Sequence, residues 1–234
     1  DHSPRVSSDT VASRLAAVRA RVREATQRSG RSSNDVILVA VSKRQSVESI
    51  RVAYHAGQRR FGESYAQEAL PKLAQLEALD IEWHFIGRIQ ANKTRTIAEN
   101  FAWVHTLERG SIARRLGDQR PRFAQPLNVL IQVNLGGESH KGGVAPEALD
   151  ALAAETRDQP RLALRGLMTI PPAELDAAAT RAIFEKLRSL QLDLVNRGYA
   201  LDILSMGMSG DFELAIEAGS TCVRIGTAIF GARR

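Results

Sequence analysis

Apolar residues recur along this chain in two alternating spacings. Short runs rich in Val, Ile, Leu and Phe give way to stretches in which apolar positions return every three or four residues, the patterns of buried strands and amphipathic helices. From about Ser8 to Ser29, Val11, Leu15, Val18 and Val22 mark one helix face, with Ser7, Ser8 or Asp9 available as cap and Gly30 as stop. The first apolar run, Val36 to Ser42, halts at Lys43 and suits a strand covered on both faces. Helices are expected over about Val47 to His55 and Tyr65 to Leu79, with a short strand from Arg60 to Gly62 between them. Further strands are expected at Glu82 to Ile86, Trp103 to Thr106, Leu127 to Val133, Leu164 to Ile170, Ile203 to Met206 and Cys222 to Ile225. Between them, helices start near Asn92, Ser111 and Pro146, a long one follows the Pro171-Pro172 break and reaches Asn196, and a last one passes through Ala215 and Glu217.

Eight strands alternating with helices across short connections predict an α/β fold, a single closed (β/α)8 TIM barrel over residues 1–234 with no second domain. The eighth strand is followed by too few residues for a full helix. The extra amino-terminal helix is expected to take that place in the outer ring.

Composition narrows the function classes. Hydrophobic residues at 44% and charged residues at 25% are ordinary for a globular protein. The lone Cys222 excludes an intrachain disulfide and a multi-cysteine metal site, no histidine pair has metal-ligand spacing, and no signal peptide or membrane span is readable, so a cytoplasmic protein is expected. A net charge of +6 raises the question of nucleic acid. Most of the excess lies in residues 1–34, where Arg5, Arg14, Arg19, Arg21, Arg23, Arg28 and Arg31 outnumber Asp1, Asp9 and Glu24. With no basic run interleaved with aromatics, a solvated arginine-rich helix face is expected, and a monomer with neither nucleic acid nor membrane as partner.

The strand ends carry the candidate chemistry. In a barrel, reactive groups sit at the carboxyl ends of the strands, where Lys43 would lie beyond the first. Besides Lys43 only Lys72, Lys93, Lys141 and Lys186 occur in this arginine-rich chain, and an amine can attack a carbonyl where a guanidinium cannot. The loops after strands seven and eight, Ser205-Met206-Gly207-Met208-Ser209-Gly210 and Arg224-Ile225-Gly226-Thr227, offer glycines and hydroxyls for a phosphate group. Arg224 alternates with apolar neighbours and so points into the barrel; a structural ion pair with Glu63 and contact with a ligand acceptor are both open. Cys222 reads as a buried small hydrophobe and His105 as filler at the barrel end. An amine, an interior arginine and a phosphate cradle together suit a ligand with an aldehyde, a ring acceptor and a phosphate, as pyridoxal 5′-phosphate (PLP) has.

The segments AVSK (Ala40–Lys43), FGESYAQE (Phe61–Glu68), EWHFIGRIQANK (Glu82–Lys93), RGLMTI (Arg165–Ile170), LSMGMSGD (Leu204–Asp211) and STCVRIGTAIFGAR (Ser220–Arg233) resemble the pyridoxal phosphate homeostasis protein family. The resemblance spans nearly the whole chain in order. It implies a barrel like the amino-terminal domain of alanine racemase, binding PLP for vitamin B6 balance without an established reaction. It further implies Lys43 as the Schiff-base lysine, Arg224 facing the pyridine nitrogen, Ser209, Gly226 and Thr227 on the phosphate with Met208 and Ser205 close by, and His84 near the ring. Apo PLP enzymes are the recipients it suggests. A racemase or decarboxylase of the same fold is the competing reading. The chain departs from the family at Ser64, Arg88 and Ala91, where asparagine, proline and serine are usual. Lys141, in the loop after the fifth strand, is a candidate secondary acceptor of the aldehyde.

Overall fold

Strands rich in β-branched and aromatic residues, each too short to stand alone, gain stability by pairing into a sheet that closes on itself and leaves no open edge. The computed structural model describes residues 9–137 and 142–232. Its strands are β1 (Ile37–Val41), β2 (Arg60–Glu63), β3 (Glu82–Phe85), β4 (Trp103–Leu107), β5 (Leu127–Gln132), β6 (Leu162–Met168), β7 (Ile203–Ser205) and β8 (Cys222–Ile225). They pair in parallel in sequence order, and β8 closes the barrel against β1. The helices are α1 (Val11–Arg28), α2 (Val47–His55), α3 (Ala66–Gln75), α4 (Thr94–Asn100), α5 (Gly110–Gln119), α6 (Leu149–Arg157), α7 (Ala177–Asn196), α8 (Phe212–Glu217) and α9 (Thr227–Phe230). The expected barrel is thus present. Among the described residues no helix is long and apolar enough to cross a membrane.

Alternation along the strands sorts side chains into two cores. Val39, Trp103, Leu130, Met168, Ile203 and Cys222 cluster inside the barrel. Their strand neighbours, including Ala40, Phe61, Phe85, Val104, Val129, Ile131, Leu204 and Val223, join the helices in a larger outer core. The sixth strand starts and ends two residues earlier than the sequence suggests. Within the strand, Val129 pairs with Leu164 and Leu130 with Gly166, so Arg165 is an extra bulged residue whose guanidinium reaches Asp202 at 2.8 Å. Gly207, at φ +106°, turns the chain out of β7, where a side chain would meet the backbone of Phe212.

The amino-terminal helix fills the gap in the outer ring, packing against α2, α8 and α9. Its cap is Thr10 rather than a residue from 7 to 9; Thr10 accepts from the Ser13 N–H, and Ser13 accepts from the Thr10 N–H. Leu15, Val18 and Val22 are buried beneath it. The arginine face is not simply solvated, because a guanidinium can satisfy the carbonyls that helix ends leave unpaired. Arg14 donates to the Ile229 carbonyl at 2.8 Å, Arg19 to that of Ala56 at 2.9 Å, and Arg31, just beyond the helix, to that of Ser220 at 2.8 Å. Arg21 meets Glu213 at 2.5 Å. These contacts staple α1 to the barrel.

If that helix is an integral part of the ring, truncating its buried face should act like a core mutation. Leu15→Ala is expected to cost about 2–5 kcal/mol in urea denaturation. A loss within about 0.5 kcal/mol, the ordinary range for a surface site, would show that the ring closes without α1.

Candidate functional site

Lys43 follows β1 by two residues and is half-buried, while its neighbours are held on both sides by one buried charge cluster. Lys72 of α3 is 7% exposed and Glu63, the last residue of β2, is fully buried. Their side chains meet at 2.9 Å. The Ser42 hydroxyl donates to Glu63, and the Lys72 ammonium donates to the Ser42 carbonyl at 2.9 Å and to Glu68 at 2.8 Å. Glu68 in turn accepts from the Arg44 N–H at 2.6 Å. Arg44 stands at φ +61°, a left-handed conformation that costs a residue with a Cβ about 1 kcal/mol and persists because its surroundings fix it. Burial pushes the Glu63 carboxyl up from the usual range, and the Ser42 hydroxyl and Lys72 pull it back. Glu63 is therefore committed to Lys72, so the ion pair with Arg224 that the sequence left open does not form.

Arg224 on β8 is buried inside the barrel, and among the described residues no carboxylate pairs with it. It donates to the Ser205 hydroxyl and, at 3.3 Å, to the Thr169 carbonyl. Ser205 lies 2.9 Å from Nδ1 of His105; Nε2 of His105 lies 2.8 Å from Nδ1 of His84; Nε2 of His84 lies 2.8 Å from the Glu82 carboxylate. Arg60 joins Glu82 at 3.2 Å from the same end of the barrel. The His84 ring stacks on Trp103, with centroids 5.4 Å apart and planes within 7°.

The donors and acceptors permit only one direction. A guanidinium only donates and an ionised carboxylate only accepts, while each neutral imidazole does one of each. Arg224 therefore donates to Ser205, Ser205 to His105, His105 to His84, and His84 to Glu82, with both histidines carrying the proton on Nε2. Burial holds the His84 imidazole below its ordinary value, and burial together with the nearby His84 and Arg224 holds His105 well below it. Both are neutral near pH 7.

Of the predicted residues, the structure joins Ser205, His84 and Arg224 in this chain, with His84 reaching Arg224 only through His105 and Ser205. His105, read from the sequence as filler, is the central member. Its place two residues after the inward-facing Trp103 is the signal that identifies it. The loops after β7 and β8 also come together: the Arg224 N–H donates to the Gly207 carbonyl at 2.9 Å, and Ser209 accepts from the Ala228 N–H at 3.4 Å, beside Gly226 and the exposed Thr227. Met208 and Ser209 line a cleft of about 650 Å³ with Ile170, Pro171 and Arg21, which Lys43, His84 and Arg224 do not line. Cys222 is buried and its thiol is pushed up to about 11, so it is inert as the sequence suggests. Lys141 lies outside the described residues. Among the described residues no group of three or more His, Cys, Asp or Glu side chains could hold a metal.

The donor set suits PLP in chemical terms: an amine at the end of β1, a guanidinium that can only donate inside the mouth, and hydroxyls beside glycine on the two adjoining loops. Comparison with known proteins runs the same way. The family model for the alanine racemase N-terminal domain matches residues 13–234. The chain is 55% identical over 224 residues to the pyridoxal phosphate homeostasis protein of Pseudomonas aeruginosa, spanning 96% of each chain. It is 48% identical over 226 residues to the protein of that name in Escherichia coli K12, spanning 95% of this chain and 97% of that one. Among solved structures, PipY of Synechococcus elongatus with PLP bound superimposes with a TM-score of 0.85 at 36% identity, covering 95% of this chain and all of that one.

Two stability measurements probe these clusters. Lys72→Met leaves Glu63 buried without a cation and should cost about 3–5 kcal/mol, read by denaturant titration; a cost under about 1 kcal/mol would mean that the pair does not clamp Ser42. The histidines give a pH signature. Their folded values are depressed while the unfolded value is about 6.5, so the stabilisation they contribute is complete above that pH. It drains away as pH falls towards the folded values, by up to about 1.4 kcal/mol per pH unit for each histidine. Replacing His105 by Gln should flatten the fall in stability below about pH 6.5, and an unchanged slope would contradict the neutral assignment.

Proposed function

The chain belongs to the alanine racemase N-terminal domain family and, within it, to the pyridoxal phosphate homeostasis proteins, and from that premise we propose that it binds PLP as a Schiff base on Lys43 and hands it on to apo enzymes. The observation that carries the proposal is that β1, which ends two residues before Lys43, pairs directly with β8, which carries the buried Arg224. Lys43 sits on a backbone fixed from both sides, with a side chain able to form and release an imine. Arg224 is buried and can only donate.

In this proposal Arg224 faces the pyridine nitrogen. A guanidinium there disfavours protonation of the ring, because a second positive charge would face the first. Bound PLP supplies a reactive aldehyde and an electron sink, and the sink is weakened by that neighbour. A protein so arranged holds the cofactor without strongly activating an amino acid attached to it, as suits a carrier. Ser209, Gly226 and Thr227 take the phosphate on the loops that the Ala228 N–H and Ser209 bring together, with Met208 alongside.

The test is spectroscopic. Protein mixed with PLP should develop a visible absorption band that borohydride abolishes, and peptide mapping should place the reduced adduct on Lys43. Lys43→Ala should lose the band entirely. An adduct on Lys72 or Lys141, or a band that survives in the alanine variant, would refute the assignment.

A further inference from the structure

The hydrogen-bonded chain from Arg224 runs the length of the barrel and ends at Glu82, on the opposite face from the proposed cofactor mouth. Glu82 is the first residue of β3, and its side chain is 38% exposed. Nothing at the mouth requires a carboxylate at the base. Two features show that this one is fixed. Arg60 holds it from β2 at 3.2 Å, and His84, the imidazole it receives from, is wedged against Trp103.

We propose that Glu82 is a positioning residue for the cofactor site, setting the orientation of the Ser205 hydroxyl, and through it Arg224, by dictating the tautomers of His84 and His105. The role rests on the PLP-binding reading given above. The physical step is a donor count. With an acceptor at Glu82, His84 places its proton on Nε2, His105 follows, and the Ser205 hydroxyl points to His105, turning its lone pairs to Arg224. With a donor in that place, His84 must accept on Nε2 and carry its proton on Nδ1. His105 then carries its own on Nδ1 and donates to Ser205. The serine oxygen then accepts from both His105 and Arg224, and its own proton loses the His105 acceptor and must turn elsewhere, so Arg224 shares an oxygen it previously held alone and its contact is weakened and re-aimed. The same change also removes the negative end of a polarised chain whose positive end is the buried Arg224 guanidinium. Polar satisfaction over four hydrogen bonds thus couples the base of the barrel to its mouth.

Glu82→Lys and Glu82→Gln in the full chain test this, read by nitrogen NMR of the imidazoles and by the rate at which bound PLP is released. The unaltered protein should show His84 and His105 as Nε2–H tautomers, assigned by single replacement. Glu82→Lys should convert both to Nδ1–H and speed release about fivefold or more. Glu82→Gln keeps an acceptor oxygen without the charge and should retain the tautomers, with release between the two; it keeps the test sharp if the lysine variant melts early. Native tautomers in Glu82→Lys, or a flip that leaves release unchanged in both variants, would overturn the role. Absence of any lysine adduct in the unaltered protein would remove the cofactor reading and this role with it, while leaving the tautomer measurement standing as a property of the barrel.

Discussion

A single buried ammonium governs the end of β1. Lys72 has almost no contact with water, so its charge must be met from within, and the groups that meet it are the Glu63 carboxylate, the Ser42 carbonyl and Glu68. Ser42 and Arg44 flank Lys43, which makes the electrostatic demand of one lysine the positional constraint on another. Glu63 belongs to β2 and Glu68 to α3, so the clamp also ties two neighbouring units to the first strand. Exposed ion pairs such as Arg95–Glu99 contribute little by comparison, because water screens both partners.

The barrel interior solves a second electrostatic problem differently. Among the described residues no carboxylate pairs with Arg224, and its guanidinium donates to the dipoles of Ser205 and the Thr169 carbonyl. Such a chain is costly if any member is unsatisfied, since a buried group without its bond forfeits its full desolvation. That requirement forces both histidines to be neutral and fixes where each proton sits. The apolar cluster of Val39, Trp103, Leu130, Ile203 and Cys222 packs inside the barrel, with Trp103 against the His84 ring.

Much of this was legible in the residues themselves. The bounds of α2 and β8 coincide with the sequence pattern because serine and glycine punctuate the first and the Cys-Val-Arg-Ile run is uninterrupted. The place of α1 also followed from pattern, since an amphipathic helix before strand one has only one vacancy to fill. Other features were hidden by the same rules. Lys72 enters the sequence reading only as one of five lysines, and nothing in its spacing four residues after Glu68 announces that the structure buries it. Arg165 interrupts an apolar run and does not announce a bulge. His105 and Glu82 each look unremarkable alone; only the closure of the barrel, which brings Ser205 on β7 to His105 on β4, makes them one network. Local pattern specifies elements, but which interior side chains meet across the barrel depends on the stagger of all eight strands.

The docking of α1 has a consequence for the order of assembly. The helix that precedes β1 rests in part on α8 and α9, which lie beside β8 and far later in the sequence, and Arg14 and Arg31 reach carbonyls there at Ile229 and Ser220. Until those residues leave the ribosome, the stripe of Leu15, Val18 and Val22 has only part of its seat available. The outer ring is therefore sealed by a contact between sequence-distant segments, whose closure entropy is high. A growing chain that has not yet made α8 and α9 leaves part of that apolar stripe uncovered, which makes the nascent form more prone to aggregation than the folded one.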